Sequence, residues 1–145
     1  MISKYQQLRA QALPHNRATL MALLKKHGIQ SLSVFYSGSG STGDTDKITA
    51  TPPEAVARLA DVTVSLHQAK VEVLAGVAAH ALIAEKKPAL EALREFTLAW
   101  VEQTHCCWAN RDGGSGDVTF NVAQDTCRLK HTEYYTGSLH HEYSL

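Results

Sequence analysis

Apolar residues recur every three or four positions at the start of the chain. Ile2, Tyr5, Leu8 and Ala12 share one helical face, and Leu20, Leu23, Leu24 and His27 resume it beyond Pro14. Pro14 lacks an N–H and its ring collides with the preceding turn, so residues 1–28 are expected to form two helical pieces. Gly28 is placed to end the second in the left-handed C′ conformation. The period then falls to two. Leu32, Val34 and Tyr36 alternate with Ser31, Ser33 and Phe35, and Ile48 and Ala50 continue the pattern after SGSGSTGDT at 37–45. That predicts a hairpin whose connection is a long Gly/Ser loop. Pro52–Pro53 stops the second strand, and Pro53 suits the first position of a short helix reaching Leu59.

Val62, Val64 and Leu66 alternate again, and the pattern resumes over 70–73 after a break at His67–Gln68. A second hairpin accounts for this, while 69–84 also tolerates a helix, and the spacing leaves both open. From Pro88 the helical period returns in Leu90, Leu93, Phe96, Trp100 and Val101, predicting a helix over 88–104 that cannot continue through Gly113 and Gly114. Val118, Phe120 and Val122, then Cys127, Leu129 and His131, predict a final hairpin over 117–132. A two-residue turn at Gln124–Asp125 would set Val122 opposite Cys127, Phe120 opposite Leu129 and Val118 opposite His131. Residues 139–145 are expected to add one more strand. The elements assemble into a single α+β domain over 1–145: an antiparallel sheet of hairpins with the N-terminal and central helices packed on one face.

Composition narrows the function. Hydrophobic residues make up 44% and charged residues 19%, ordinary globular usage that argues against disorder. Fourteen basic residues balance fourteen acidic ones. Lys25–Lys26 and Lys86–Lys87 are isolated pairs, so no basic field favours nucleic acid. The first twelve residues have no apolar run of the signal-peptide kind. The most apolar stretch, 71–84, contains Glu72 and His80 and is too short for a bilayer. Three cysteines, two of them adjacent, make no disulfide framework and imply a reducing, cytoplasmic setting.

The most unusual stretch is HCCWANRDGGSGD at 105–117, which joins the long helix to the last hairpin. Loops on rigid flanks are where function concentrates. Trp108, Asn110, Gly113, Gly114, Gly116 and Phe120 resemble the C-terminal signature of an uncharacterised bacterial family that reads roughly Gly-Trp-Glu-Asn-x-x-Gly-x-x-Gly before a strand. The strand and Gly/Ser loop with Asp44 near 32–44 are similar as well. The resemblance implies no activity, and Cys107 and Ala109 depart from its Gly and Glu.

Eight histidines raise the question of metal. Zinc wants four convergent ligands at short spacings such as Cys-x-x-Cys or His-x-x-x-His, and neither occurs. The surviving candidate set is His105, Asp117 and His131, with Asp112 and His140 nearby; it would suit a metal-dependent hydrolase with a divalent ion such as zinc. Cys106 and Cys107 sit at a helix C-terminus, which disfavours a thiolate. The loop at 38–43 lacks the P-loop lysine and places Asp44 there instead, which repels phosphate. With no catalytic motif in place, the expectation is a non-catalytic accessory or regulatory protein without cofactor. It would bind another protein through Trp108, Asn110, Asp112, Tyr134, Tyr135 and His140, and a homo-oligomer is a separate possibility that the residues leave open.

Overall fold

The computed structural model describes residues 4–39, 42–104, 113–135 and 137–145. Its first element, α1 (Lys4–Lys26), is one continuous helix with Pro14 inside it, where two pieces were expected. Pro14 is exposed, and Leu8, Ala12, Leu13, Leu20, Met21 and Leu24 are buried on both sides of it. That shared burial offsets the roughly 3 kcal/mol that an interior proline costs a helix. Gly28 closes the helix as expected, with φ +70°, while the Ile29 N–H donates to the Leu24 carbonyl at 3.0 Å.

β1 (Ser31–Ser39) and β2 (Thr42–Thr51) form the first hairpin. Most of 37–45, expected as loop, is strand. Gly38 is paired with Gly43 on one side and Gly114 on the other, so ladder bonds on both flanks override its low strand propensity. A bulge between Phe35 and Tyr36 shifts the β2 register. The short helix is narrower than 53–59: α2 is Ala55–Arg58. The stretch 69–84 is strand, within a hairpin of β3 (Thr63–Leu74) and β4 (Val77–Pro88) that forms its own two-stranded sheet. Ala75 and Gly76, both at positive φ, make its turn. α3 (Ala89–Thr104) follows and buries Ala89, Ala92, Leu93, Phe96, Thr97, Trp100 and Val101, extending the predicted stripe.

β5 (Gly114–Asn121), β6 (Thr126–Tyr135) and β7 (Gly137–Ser144) complete a five-stranded antiparallel sheet of order β2-β1-β5-β6-β7. The fold is α+β, with helices packed against the antiparallel sheet. Leu32 and Val34 stand opposite Phe120 and Val118. Above them the Phe96 ring lies 5.7 Å from that of Phe120 and 6.1 Å from Trp100.

The final hairpin has a different register from the expected one. Val118 pairs with Leu129 and Phe120 with Cys127, and the connection is four residues long, 122–125. Arg17 from α1 clamps this turn: Nη2 donates to the Asp125 carbonyl at 2.6 Å and Nη1 to Oδ1 at 3.2 Å. The Asn121 carboxamide accepts from the Gln124 N–H at 3.2 Å. The slip is two residues, an even number, so every side chain keeps its expected face.

α1 is fastened to β3 by a buried carboxamide. Asn16 Nδ2 donates to the His67 carbonyl at 3.0 Å and Oδ1 accepts the His67 N–H at 2.7 Å, replacing a strand neighbour. Asn16→Leu keeps the volume but strands both backbone groups, and is expected to cost about 2 kcal/mol. Urea unfolding midpoints check this, together with faster hydrogen exchange at the His67 amide. Among the described residues no helix is long and apolar enough to cross a membrane.

Candidate functional site

The end of the sheet where β1, β5, β6 and β7 meet carries the chemistry. Tyr36, Gly116, His131 and His141 occupy one cross-strand row. Gly116 has no side chain, so the rings on either side of it meet over the gap. Tyr36 Oη lies 2.5 Å from His131 Nδ1, with the rings 5.7 Å apart and 12° from parallel. A Cβ built on Gly116 would stand 2.6 Å from that hydroxyl and 2.0 Å from the Lys130 carbonyl oxygen. On its other side His131 Nε2 lies 3.7 Å from Glu133 Oε1.

Burial decides what this array does. His131 is fully buried and Tyr36 is 1% exposed. Loss of water around Tyr36, together with the negative charges of Asp117 and Glu133, pushes its phenol well above the ordinary value. The hydroxyl therefore keeps its proton and pairs with Nδ1, while Nε2 stands 3.7 Å from the Glu133 carboxylate. The array is a polar brace holding β1 to β6 across β5. Cys127 on the same face is buried as expected, and burial raises its thiol to about 12 against the lowering influence of Arg17, so it is a packed, unreactive group.

The opposite face of the sheet is polar. Asp117, Thr119, Asn121, Thr126, Arg128 and Lys130 line a shallow concavity of about 190 Å³. Thr119 Oγ1 lies 2.7 Å from Asp117 Oδ2 and 2.8 Å from Ser33 Oγ. Lys130 Nζ lies 3.7 Å from Glu142 Oε1. His140 is exposed on β7, its Nδ1 3.0 Å from Thr132 Oγ1.

These positions separate the residues singled out from sequence. Asp117 and His131 lie on opposite faces of the sheet, so the structure does not bring them together. His105 lies outside the described residues, as do Trp108, Asn110 and Asp112. Among the described residues no group of three or more His, Cys, Asp or Glu converges to hold a metal. Of the other candidates, Tyr134 pairs with Ser138, Tyr135 with Gly137 and His140 with Thr132 in the β6–β7 hairpin. Sequence reasoning missed Tyr36 and the steric role of Gly116. The available signal was that two polar-tipped rings, Tyr36 and His131, both sit on apolar strand faces.

Among the described residues β7 has a ladder partner on one side only. Its Leu145 N–H donates to the Cys127 carbonyl at 3.1 Å. By the alternation of an antiparallel ladder, Tyr143, His141 and Leu139 then bond to β6. Ser144, Glu142, His140 and Ser138 turn their backbone N–H and C=O groups to the open side.

The family model of DUF6878, a family of unknown function, matches residues 12–145, and the chain belongs to that family. An uncharacterised family is what the glycine-rich C-terminal segment resembled. Comparison with curated proteins and with solved structures finds no match.

Proposed function

We propose that this member of DUF6878 is a non-catalytic binding protein that takes an extended segment of another protein onto the open edge of β7. The observation carrying this reading is the row of backbone groups at Ser138, His140, Glu142 and Ser144 that the β6 ladder leaves facing outward. An exposed edge is a template for strand addition, in which main-chain bonds supply affinity and alternate side chains supply selectivity. Tyr134, Tyr135 and His140 belong to the β6–β7 hairpin that ends in this edge, and the proposal keeps Trp108, Asn110 and Asp112, which lie outside the described residues, as further contacts. The neutral charge balance supports a protein partner over nucleic acid. The odd cysteine count, with Cys127 a buried free thiol, suits a bacterial cytoplasm.

Proline substitution tests the edge. At Glu142 the N–H points away from β6, so Glu142→Pro is expected to keep the sheet while blocking an incoming strand. At Tyr143 the N–H is a ladder donor, so Tyr143→Pro is expected to unfold the β6–β7 hairpin. Peptides selected from a random display library against the wild-type protein, then measured by calorimetry, should lose at least about tenfold in affinity to Glu142→Pro. Equal affinity for wild type and Glu142→Pro would remove β7 as the docking edge. Sedimentation of the wild-type chain alone distinguishes self-pairing of β7 from capture of a different protein.

A further inference from the structure

The five-stranded sheet ends in β2 on one side and in β7 on the other. The two edges are built differently. β2 carries the exposed charges of Asp44 and Lys47, with a bulge between Thr45 and Lys47 that shifts its register. Charge and bulging are the devices that keep an edge strand from pairing. β7 reads GSLHHEYS, with neither proline nor lysine. Its ladder with β6 runs in unbroken register from Arg128–Ser144 to Tyr135–Gly137. Nothing of the kind that blunts β2 is built into this strand.

The outward backbone groups of β7, at Ser138, His140, Glu142 and Ser144, are self-complementary in one antiparallel register. A two-fold axis through His141, perpendicular to the sheet, sets His140 opposite Glu142 of a second copy and Glu142 opposite that copy's His140. Ser138 and Ser144 pair in the same way. Each outward N–H then faces an outward carbonyl, and the polar faces of the two sheets continue into one another. Sliding the strands by two residues sets His140 against His140, or Glu142 against Glu142. Opposite charges directly across a ladder favour pairing and like charges oppose it, so the side chains single out the first register.

Both side chains are placed for it. His140 is exposed, and its Nδ1 lies 3.0 Å from Thr132 Oγ1, which leaves Nε2 for a second contact. Glu142 stands 3.7 Å from Lys130, the two side chains 60% and 50% exposed. That is a loose surface pair, and it leaves the carboxylate open toward the edge.

We infer that, when no other protein occupies the edge, β7 pairs antiparallel with β7 of a second copy of this chain, His140 against Glu142, joining two sheets into one. This rests on the reading of β7 as a docking edge and deepens it. Self-pairing and capture use the same backbone groups, so the dimer is the closed state of the edge, and an incoming segment must displace one copy.

Sedimentation equilibrium of the full chain is expected to show a monomer–dimer equilibrium in the micromolar range. Glu142→Pro should leave only monomer. Glu142→Lys sets an ammonium opposite His140, and His140→Glu sets two carboxylates opposite each other. Each variant alone should dimerise at least about tenfold more weakly than wild type. Mixed in equal amounts they should recover dimerisation, because the new lysine then faces the new glutamate while His140 faces Glu142. Both positions are exposed, and circular dichroism checks that both variants keep the fold. A wild-type chain that stays monomeric throughout the micromolar range overturns the inference. It leaves capture standing, since capture is read separately from peptide affinity for wild type and Glu142→Pro. A dimer that survives Glu142→Pro overturns the inference as well. So does a mixture of the two charge variants no more associated than either alone.

Discussion

Gly116→Ala is expected to destabilise the fold by about 4 kcal/mol, lowering the thermal midpoint by roughly 12 °C for a chain of this size. The added methyl meets three atoms: the Lys130 carbonyl oxygen at 2.0 Å, Tyr36 Oη at 2.6 Å and Tyr36 Cζ at 2.9 Å. The Tyr36 contacts involve the far end of a side chain, but that end is pinned to His131 in a packed core. The Lys130 contact is with backbone. Relieving it means displacing β6 from β5, where Lys130 is paired with Asp117 one residue away. The cost is therefore steric and not conformational, since φ at Gly116 lies outside the left-handed region. Adding Tyr36→Phe removes the hydroxyl contact and leaves the carbonyl contact, so the double variant should recover little. A calorimetric midpoint for Gly116→Ala within about 3 °C of wild type, less than 1 kcal/mol on that scale, would show that β6 moves freely and that the brace is not rigid.

What the amino-acid pattern revealed was faces; what it concealed was distance. The alternations around Leu32, Val118 and Cys127 assigned every core residue of β1, β5 and β6 to its correct side. From sequence the turn at 122–125 looks two residues shorter than it is, because its geometry depends on Arg17, 108 positions away, gripping Asp125. Pro14 predicts a break because the penalty is local while the offsetting burial of Leu8 and Leu20 is tertiary. Residues 37–45 read as loop for the same reason, since their strand partners in β5 lie far along the chain. The separation of Asp117 from His131 was legible all along: the period of two that placed Val118 and His131 inward also turns Asp117 outward. The Tyr36–His131 contact was not, because it needs β1 beside β5, and the two residues are 95 positions apart. The expected loop surface at Trp108, Asn110 and Asp112 falls outside the described residues.

Alkaline pH should weaken the fold steeply, through the two buried acids on the inner face of the sheet. Burial raises the Cys127 thiol from 9.0 to about 12, with Arg17 opposing, and burial with the nearby Asp117 and Glu133 charges raises the Tyr36 phenol further. Both folded values lie above the unfolded ones, so between them the unfolded chain has released protons that the folded chain still holds. With fewer protons bound in the unfolded state, stability falls as pH rises. For Cys127 the contribution is complete below pH 9 and lost as pH climbs to about 12. At about 1.4 kcal/mol per pH unit, that interval amounts to the order of 4 kcal/mol. Tyr36 adds a second slope that begins near the ordinary phenol value, about 10. Urea midpoints between pH 8 and 11.5 read both. Cys127→Ala is expected to lower stability at pH 8 by leaving a small cavity, yet to flatten the limb above pH 9. Tyr36→Phe should flatten it only above pH 10, because no phenol remains to ionise in the unfolded chain. If the Cys127→Ala limb runs parallel to wild type over the whole interval, the alkaline loss belongs to other groups. The thiol would then be reached by water in the folded state, and the inner face of β6 would be less tightly closed than its packing against Phe120 and Leu129 requires.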